Sequence, residues 1–229
     1  MKRPYYIMLR PLVIIALFAM TACEVDTYDL PSETLTGRLV DTDGEPFVTE
    51  QPYGFKIRML EDGASQFYDF WGKEDGTFRN TKIFRAKYKI YPFDGAFFQV
   101  DPVERVIDGT VNLDFEVIPF AKVDANIGQV GSSIRATFTI DKAAGAGKLQ
   151  DAQLLVTRWN PNVGTHNKDG SVSRDLSGTP DTDMQGVPQE LVLDGFLESG
   201  VTYYARVAVL SENSLGRYNL SAVTEIVAE

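Results

Sequence analysis

The chain has one cysteine, Cys23, and one histidine, His166, among 229 residues. A lone cysteine allows no disulfide within the chain, so stability must come from packing and backbone pairing. A lone histidine removes most histidine-dependent catalysis, because nucleophilic catalysis by serine or cysteine needs a base beside the nucleophile. His166 sits in a long polar stretch between Trp159 and Val187 that reads as a flexible loop. Basic residues are also scarce: 22 Lys and Arg against 32 Asp and Glu give a net charge of −10. Such a chain repels phosphate backbones, which argues against nucleic acid as a partner. Sustained helical periodicity is missing from the first half. Cofactor and metal motifs are missing too. Asp41-Thr42-Asp43-Gly44-Glu45 hints at calcium, but an EF-hand loop needs Gly at its sixth position and an acid at its twelfth. Here those positions hold Pro46 and Pro52. Gly145-Ala146-Gly147-Lys148 lacks the earlier Gly and the following Ser or Thr of a phosphate loop, so it reads as a turn. Carboxylates are too common in an acidic chain to identify a glycosidase pair. No catalytic residue, cofactor or metal ligand is assigned, and the chain reads as a non-enzyme.

What the N-terminus does have is a leader. Lys2, Arg3 and Arg10 form a basic region, Leu12 to Met20 an apolar core, and Thr21-Ala22 the small residues before a cut. The apolar run is far shorter than the ~20 residues of a membrane-spanning helix. Cys23 follows directly, where a lipoprotein processing site requires it. The expectation is a signal peptide over residues 1–22 and a lipidated tether over 23–32. The alternatives are an ordinary secretion signal with Cys23 incidental, or a short buried helix. Cleavage would remove three basic residues and take the net charge from −10 to −13. Each buried lipid methylene contributes ~0.8 kcal/mol, so several acyl chains anchor firmly. Glu24-Val25-Asp26-Thr27-Tyr28-Asp29 then resembles the acidic export signal of Bacteroidetes surface lipoproteins. That resemblance implies an outer-membrane, lipid-anchored protein displayed at the cell surface. The alternatives are the periplasmic face and a solvated spacer without sorting function.

From Leu35 onward apolar residues alternate with polar ones between regularly spaced turns, the pattern of an all-β sandwich. Leu35, Gly37 and Leu39 share a face, as do Phe55, Ile57 and Met59, then Ala86, Tyr88 and Ile90, then Leu113, Phe115 and Val117. Pro119 to Gly128 reads as a boundary. A second series follows: Ile134, Ala136, Phe138 and Ile140, then Ala152 to Trp159, then Val201, Tyr203, Ala205, Val207 and Val209, with Tyr204 and Arg206 on the opposite face. The polar stretch after Trp159 contains a short edge strand near Ser171 to Arg174. The fold class is all-β, with two consecutive β-sandwich domains at 33–120 and 121–229.

The pieces Leu35-Thr36-Gly37-Arg38-Leu39-Val40-Asp41, Asp75-Gly76-Thr77-Phe78 and Ala86-Lys87-Tyr88-Lys89-Ile90 resemble a prealbumin-like, carboxypeptidase-regulatory-like sandwich. With Glu50-Gln51-Pro52-Tyr53-Gly54, Asp94-Gly95-Ala96-Phe97 and Leu113 to Pro119, the arrangement is similar to a Bacteroidetes surface-lipoprotein family of unknown function. Its members are typically encoded beside SusC/SusD-type glycan-uptake systems. Leu197-Glu198-Ser199-Gly200-Val201-Thr202-Tyr203 resembles the fibronectin type III corner, where a tyrosine bonds back to the backbone. That likeness gives the role to Tyr203, and Phe138 stands where such domains usually have a core tryptophan.

The aromatics are the feature that points to binding. Gln66-Phe67-Tyr68-Asp69-Phe70-Trp71 places them on both faces of one strand, and Tyr91-Pro92-Phe93 adds more. Sugar rings stack on flat aromatic rings, so Tyr68, Trp71, Tyr91 and Trp159 are the candidate ligand-binding residues. The alternative is that they fill the core or the seam between sandwiches. Two functions fit: accessory glycan binding for a SusC/SusD-type system, or a structural or adhesin-like protein–protein contact with no sugar site.

Overall fold

The computed structural model describes residues 30–229. Cys23 and the expected leader lie outside the described residues. Residues 31–229 form one compact unit built from four sheets.

The first sandwich uses β1 (Glu33–Val40), β2 (Lys56–Glu61), β3 (Phe67–Trp71), β4 (Thr77–Ile83), β5 (Ala86–Phe93), β6 (Val103–Ile107), β7 (Thr110–Asn112) and β8 (Phe115–Glu116). One sheet runs β4-β1-β7, with β8 also on β1, and the other runs β3-β2-β5-β6. β1 pairs antiparallel with β4 and parallel with β7 and β8, so it is the central strand of its sheet. The period-two pattern explains the packing: Leu35, Leu39, Ile57, Met59, Tyr88, Ile90 and Phe115 all point into one buried core. Each such side chain contributes roughly 1.5–3 kcal/mol on burial. Gly37 is required in that row. A Cβ there would lie 2.0 Å from the Leu113 carbonyl oxygen and 2.7 Å from the Phe78 ring.

The second sandwich uses β9 (Ala121–Val130), β10 (Ser133–Lys142), β11 (Leu149–Arg158), β12 (Gly170–Asp175), β13 (Gln189–Leu193), β14 (Thr202–Ser211), β15 (Asn219–Leu220) and β16 (Thr224–Val227). Its sheets run β13-β10-β9 and β12-β11-β14-β15, with β16 also on β14. Ile134, Ala136, Phe138 and Ile140 pack against Leu154, Val156, Tyr203, Ala205, Val207 and Val209. The Tyr203 ring is fully buried. Its hydroxyl accepts a hydrogen bond from the Glu198 N–H at 3.0 Å and donates to the Phe196 carbonyl at 3.4 Å. This is the corner bond expected of it. β12 is the short edge strand anticipated near Ser171 to Arg174.

Three sequence expectations change. β9 begins at Ala121, and Gly128 lies inside it opposite Arg135. Most of the stretch from Pro119 to Gly128 is therefore strand. The stretch after Trp159 is not a free loop, since Asn162, Gly164 and Thr165 fold back onto the first sandwich. Arg206 does alternate to the outer face of β14, yet it is only 1% exposed, because residues near Thr49 lie over that face.

That cover is a polar junction. Arg206 donates to the carbonyls of Thr49 (2.7 Å), Val163 (3.3 Å) and Ser221 (2.7 and 3.0 Å). Burial lowers its pKa to about 10, partly offset by the charges of Glu50 and Glu74. The Glu50 carboxylate accepts from the Thr165 N–H at 2.6 Å and from the Thr165 hydroxyl at 2.8 Å. Asn219 donates to the Ala96 carbonyl at 2.8 Å and accepts from the Ala121 N–H at 3.0 Å. The calcium-like turn is closed by Lys122, which pairs with Asp41 at 2.7 Å and also with Asp43.

Candidate functional site

The outer face of β3-β2-β5 carries a three-by-three grid of side chains fixed by strand register. Lys56 stands between Trp71 and Phe93, Arg58 between Asp69 and Tyr91, and Leu60 between Phe67 and Lys89. Neighbouring strands are ~4.8 Å apart, and every second residue points the same way. Trp71 and Tyr91 are therefore diagonal neighbours across β2 and not a contact pair. The strand formers Phe67, Phe70 and Trp71 suit an extended edge. The next residue, Gly72, must be glycine, since a Cβ would fall 1.9 Å from the Phe55 ring.

Cations and rings alternate across this face. The Lys56 ammonium lies 4.3 Å from the centre of the Trp71 ring. The Arg58 guanidinium lies 4.5 Å from Phe67 and 4.0 Å from Phe93. Exposed contacts of this kind contribute about 0.5–1 kcal/mol each. Asp69 holds Arg58 in a two-point fork, accepting from Nε at 2.8 Å and Nη2 at 2.7 Å. That fork raises the guanidinium pKa, so Arg58 stays charged at any working pH. At the inner border, Asp94 pairs with Lys56 at 2.9 Å and Arg217 at 2.8 Å. Burial alone would raise the Asp94 carboxyl; Arg217 and Lys56 outweigh it and hold the carboxyl below the usual range.

The face continues toward the second sandwich in two ways. Tyr53 meets Trp71 edge-on with centres 5.6 Å apart and lies 4.8 Å from the His166 ring. A cleft of about 330 Å³ opens beside Tyr91, Phe93 and Asp94, and its far wall is Asn213, Ser214 and Leu215. Backbone strain marks two residues of this region. Tyr53 (φ 77°) and Asp94 (φ 62°), with Trp159 (φ 71°) on the second sandwich, are the non-glycine residues with left-handed backbone among the described residues. Such conformations cost on the order of 1–3 kcal/mol and concentrate at functional sites.

The four aromatic candidates part company here. Trp71 and Tyr91 share the outer face, with Trp71 37% exposed and Tyr91 partly buried. Tyr68 points to the opposite side of β3, where its hydroxyl accepts from the Asn80 amide at 2.7 Å. It lines a separate cavity of about 190 Å³ with Phe84 and Tyr88. Trp159 follows β11 on the second sandwich, is 83% exposed, and touches no other aromatic among the described residues. Composition did not single out Tyr53, Lys56 or Arg58, and it brought in Phe67 and Phe93 only as part of the aromatic stretches. The alternation of Lys56 and Arg58 with the buried Ile57 was a usable signal, because it puts both cations on the solvent side with Trp71.

Residues 33–118 match the family model described as a protein of unknown function (DUF3823), N-terminal domain. Among solved structures, the chain is similar to a DUF3823 family protein from Bacteroides uniformis, at 24% identity and TM-score 0.75, covering 87% of this chain and 100% of that one. A DUF3823 family protein from Parabacteroides merdae aligns at 19% identity and TM-score 0.71, covering 86% and 100%. A candidate carbohydrate-binding protein from Bacteroides uniformis aligns at 24% identity and TM-score 0.70, covering 86% and 99%. No curated protein matches the sequence. The first sandwich thus matches the DUF3823 N-terminal domain, and the described residues share the all-β fold of these Bacteroides and Parabacteroides structures.

Proposed function

We propose that this chain is a non-enzymatic, lipid-anchored surface protein that binds a glycan on the outer face of β3-β2-β5 and assists a SusC/SusD-type uptake system. The observation that carries this reading is the solvent-facing grid of Trp71, Tyr91, Phe67 and Phe93 interleaved with Lys56, Arg58 and Asp69. Rings offer flat apolar surface to sugar C–H faces, and the charged groups between them supply hydrogen bonds to hydroxyls. A function in carbohydrate binding is also the one suggested for a structural relative of the same fold. The position of the first strand fits an anchored arm. β1 enters at Glu33, opposite Ile83, and runs toward the junction at Val40. A tether from Cys23 would therefore meet the fold at the end away from the second sandwich.

Native affinity electrophoresis of residues 24–229 through gels containing individual plant and host polysaccharides tests this. The expected result is retardation by at least one polysaccharide, reduced about tenfold in affinity by Trp71→Ala, as for an anchor residue of a binding face. Absence of retardation across the panel would contradict the reading and favour a protein–protein role for the same face.

A further inference from the structure

We propose that the ligand of this face is an anionic glycan, one bearing carboxylate or sulfate groups; this assignment rests on the glycan-binding reading above. The outward side chains of β3, β2, β5 and β6 include four cations, Lys56, Arg58, Lys87 and Lys89, and two carboxylates, Asp69 and Glu104. Asp94 at the border also pairs with Lys56, so the face keeps a small positive excess, centred on Lys89, on a chain whose net charge is −10. Charges beyond the ~8 Å screening length at physiological salt contribute little, so the local excess decides which ligands approach.

One of these cations has bonding capacity left over. Arg58 is not that cation, since Asp69 takes its Nε and Nη2 and the guanidinium is also engaged by Tyr91, Phe67 and Phe93. Lys89 is exposed and makes no ion pair among the described residues, whereas Lys87 is paired with Glu104 at 2.6 Å. Arg58 lies directly across from Tyr91, and Lys89 precedes Tyr91 by two residues on the same face. A sugar ring stacked on Tyr91 would thus have the free Lys89 ammonium beside it. That arrangement suits a ring carrying an acid group at its edge. A neutral glycan can take a hydrogen bond from Lys89 but not the stronger charge-assisted one that an acid group takes.

The test is titration calorimetry of residues 24–229 with polygalacturonate, chondroitin sulfate, an uncharged galactan, and polyglutamate as a polyanion without sugar rings. Binding of polygalacturonate or chondroitin sulfate, with weaker or no binding of galactan and polyglutamate, supports the proposal, and the two charged arms separate carboxylate from sulfate. Raising sodium chloride from about 0.05 to 0.5 M shortens the screening length roughly threefold and is expected to weaken that binding. Lys89→Glu, at an exposed site whose loss leaves no partner unpaired, is expected to weaken it at least about fivefold. Galactan binding as tight as either charged glycan, or an unchanged affinity in Lys89→Glu, would overturn the charge assignment while leaving glycan binding intact. Polyglutamate binding as tightly as the glycans would reduce the face to a simple ion exchanger and overturn it as well. Binding of none of them, with no polysaccharide retained in the gels, would remove both readings.

Discussion

Trp71 is held by the Lys56 ammonium over its ring and by Tyr53, whose ring meets it edge-on. The ring is therefore oriented before any ligand arrives, and an anchor that is already ordered loses less entropy on binding. Asp94 does similar work for Lys56 and Arg217. Its carboxyl is held below the usual range, so its stabilising contribution is fully present above the unfolded value near 3.8 and is lost as pH falls through the lower folded value. Asp94→Asn is expected to lower the Tm by about 4–8 °C near pH 7, from roughly 2 kcal/mol of charged hydrogen bonding in a chain of this size. The difference from the parent protein should shrink toward zero in melts at strongly acid pH. At this scale the sequence was partly readable. The aromatic residue types pointed to a candidate binding face, but which face each one occupied depended on register. Tyr68 and Trp71 are three apart, an odd number, so a strand must send them to opposite sides.

Among the elements, the strands were the most legible. Leu35 and Leu39, Ile57 and Met59, and Ile134 to Ile140 alternate because each sheet has one buried face, and period two records that directly. β14 broke the rule where the junction covers its second face. Arg206 reads as solvent-facing in sequence, and nothing local says that Thr49 will lie above it. Long-range polar contacts of this kind carry no short-range pattern, which is also why the stretch from Trp159 to Asp169 read as a free loop. Truncating Arg206 would strip the carbonyls of Thr49, Val163 and Ser221 of their donor inside a buried site. Arg206→Ala is expected to cost about 3–5 kcal/mol and lower the Tm by about 6–20 °C. An equal Tm for Arg206→Ala and the parent in differential scanning calorimetry would show that the junction is not the stabilising element described.

For the whole molecule, four sheets form one unit, and the cleft beside the proposed binding face is walled by residues of both sandwiches. Buried polar contacts at Arg206, Asn219 and Glu50 give the two sandwiches a fixed seat, so the cleft walls at Tyr91 and Ser214 keep their spacing without a bound ligand. Fold class was legible from alternation and turn spacing. Placement of the face beside a cleft was not, because it arises where two sandwiches meet. The lipid anchor is tested at this scale. Cys23→Ala is expected to shift the protein from the membrane fraction to the soluble extracytoplasmic fraction, and retention of that variant in membranes would disprove the anchor.

The two tryptophans, Trp71 and Trp159, allow the most direct test of where the ligand sits. Trp159→Phe leaves Trp71 as the sole reporter, on the proposed face and 37% exposed. Titrating this variant with a polysaccharide that retards the protein in gels should produce a saturable change in tryptophan emission, with a midpoint matching the calorimetric affinity. Undiminished binding with no change in Trp71 emission would place the glycan elsewhere and contradict the site proposed on β3-β2-β5.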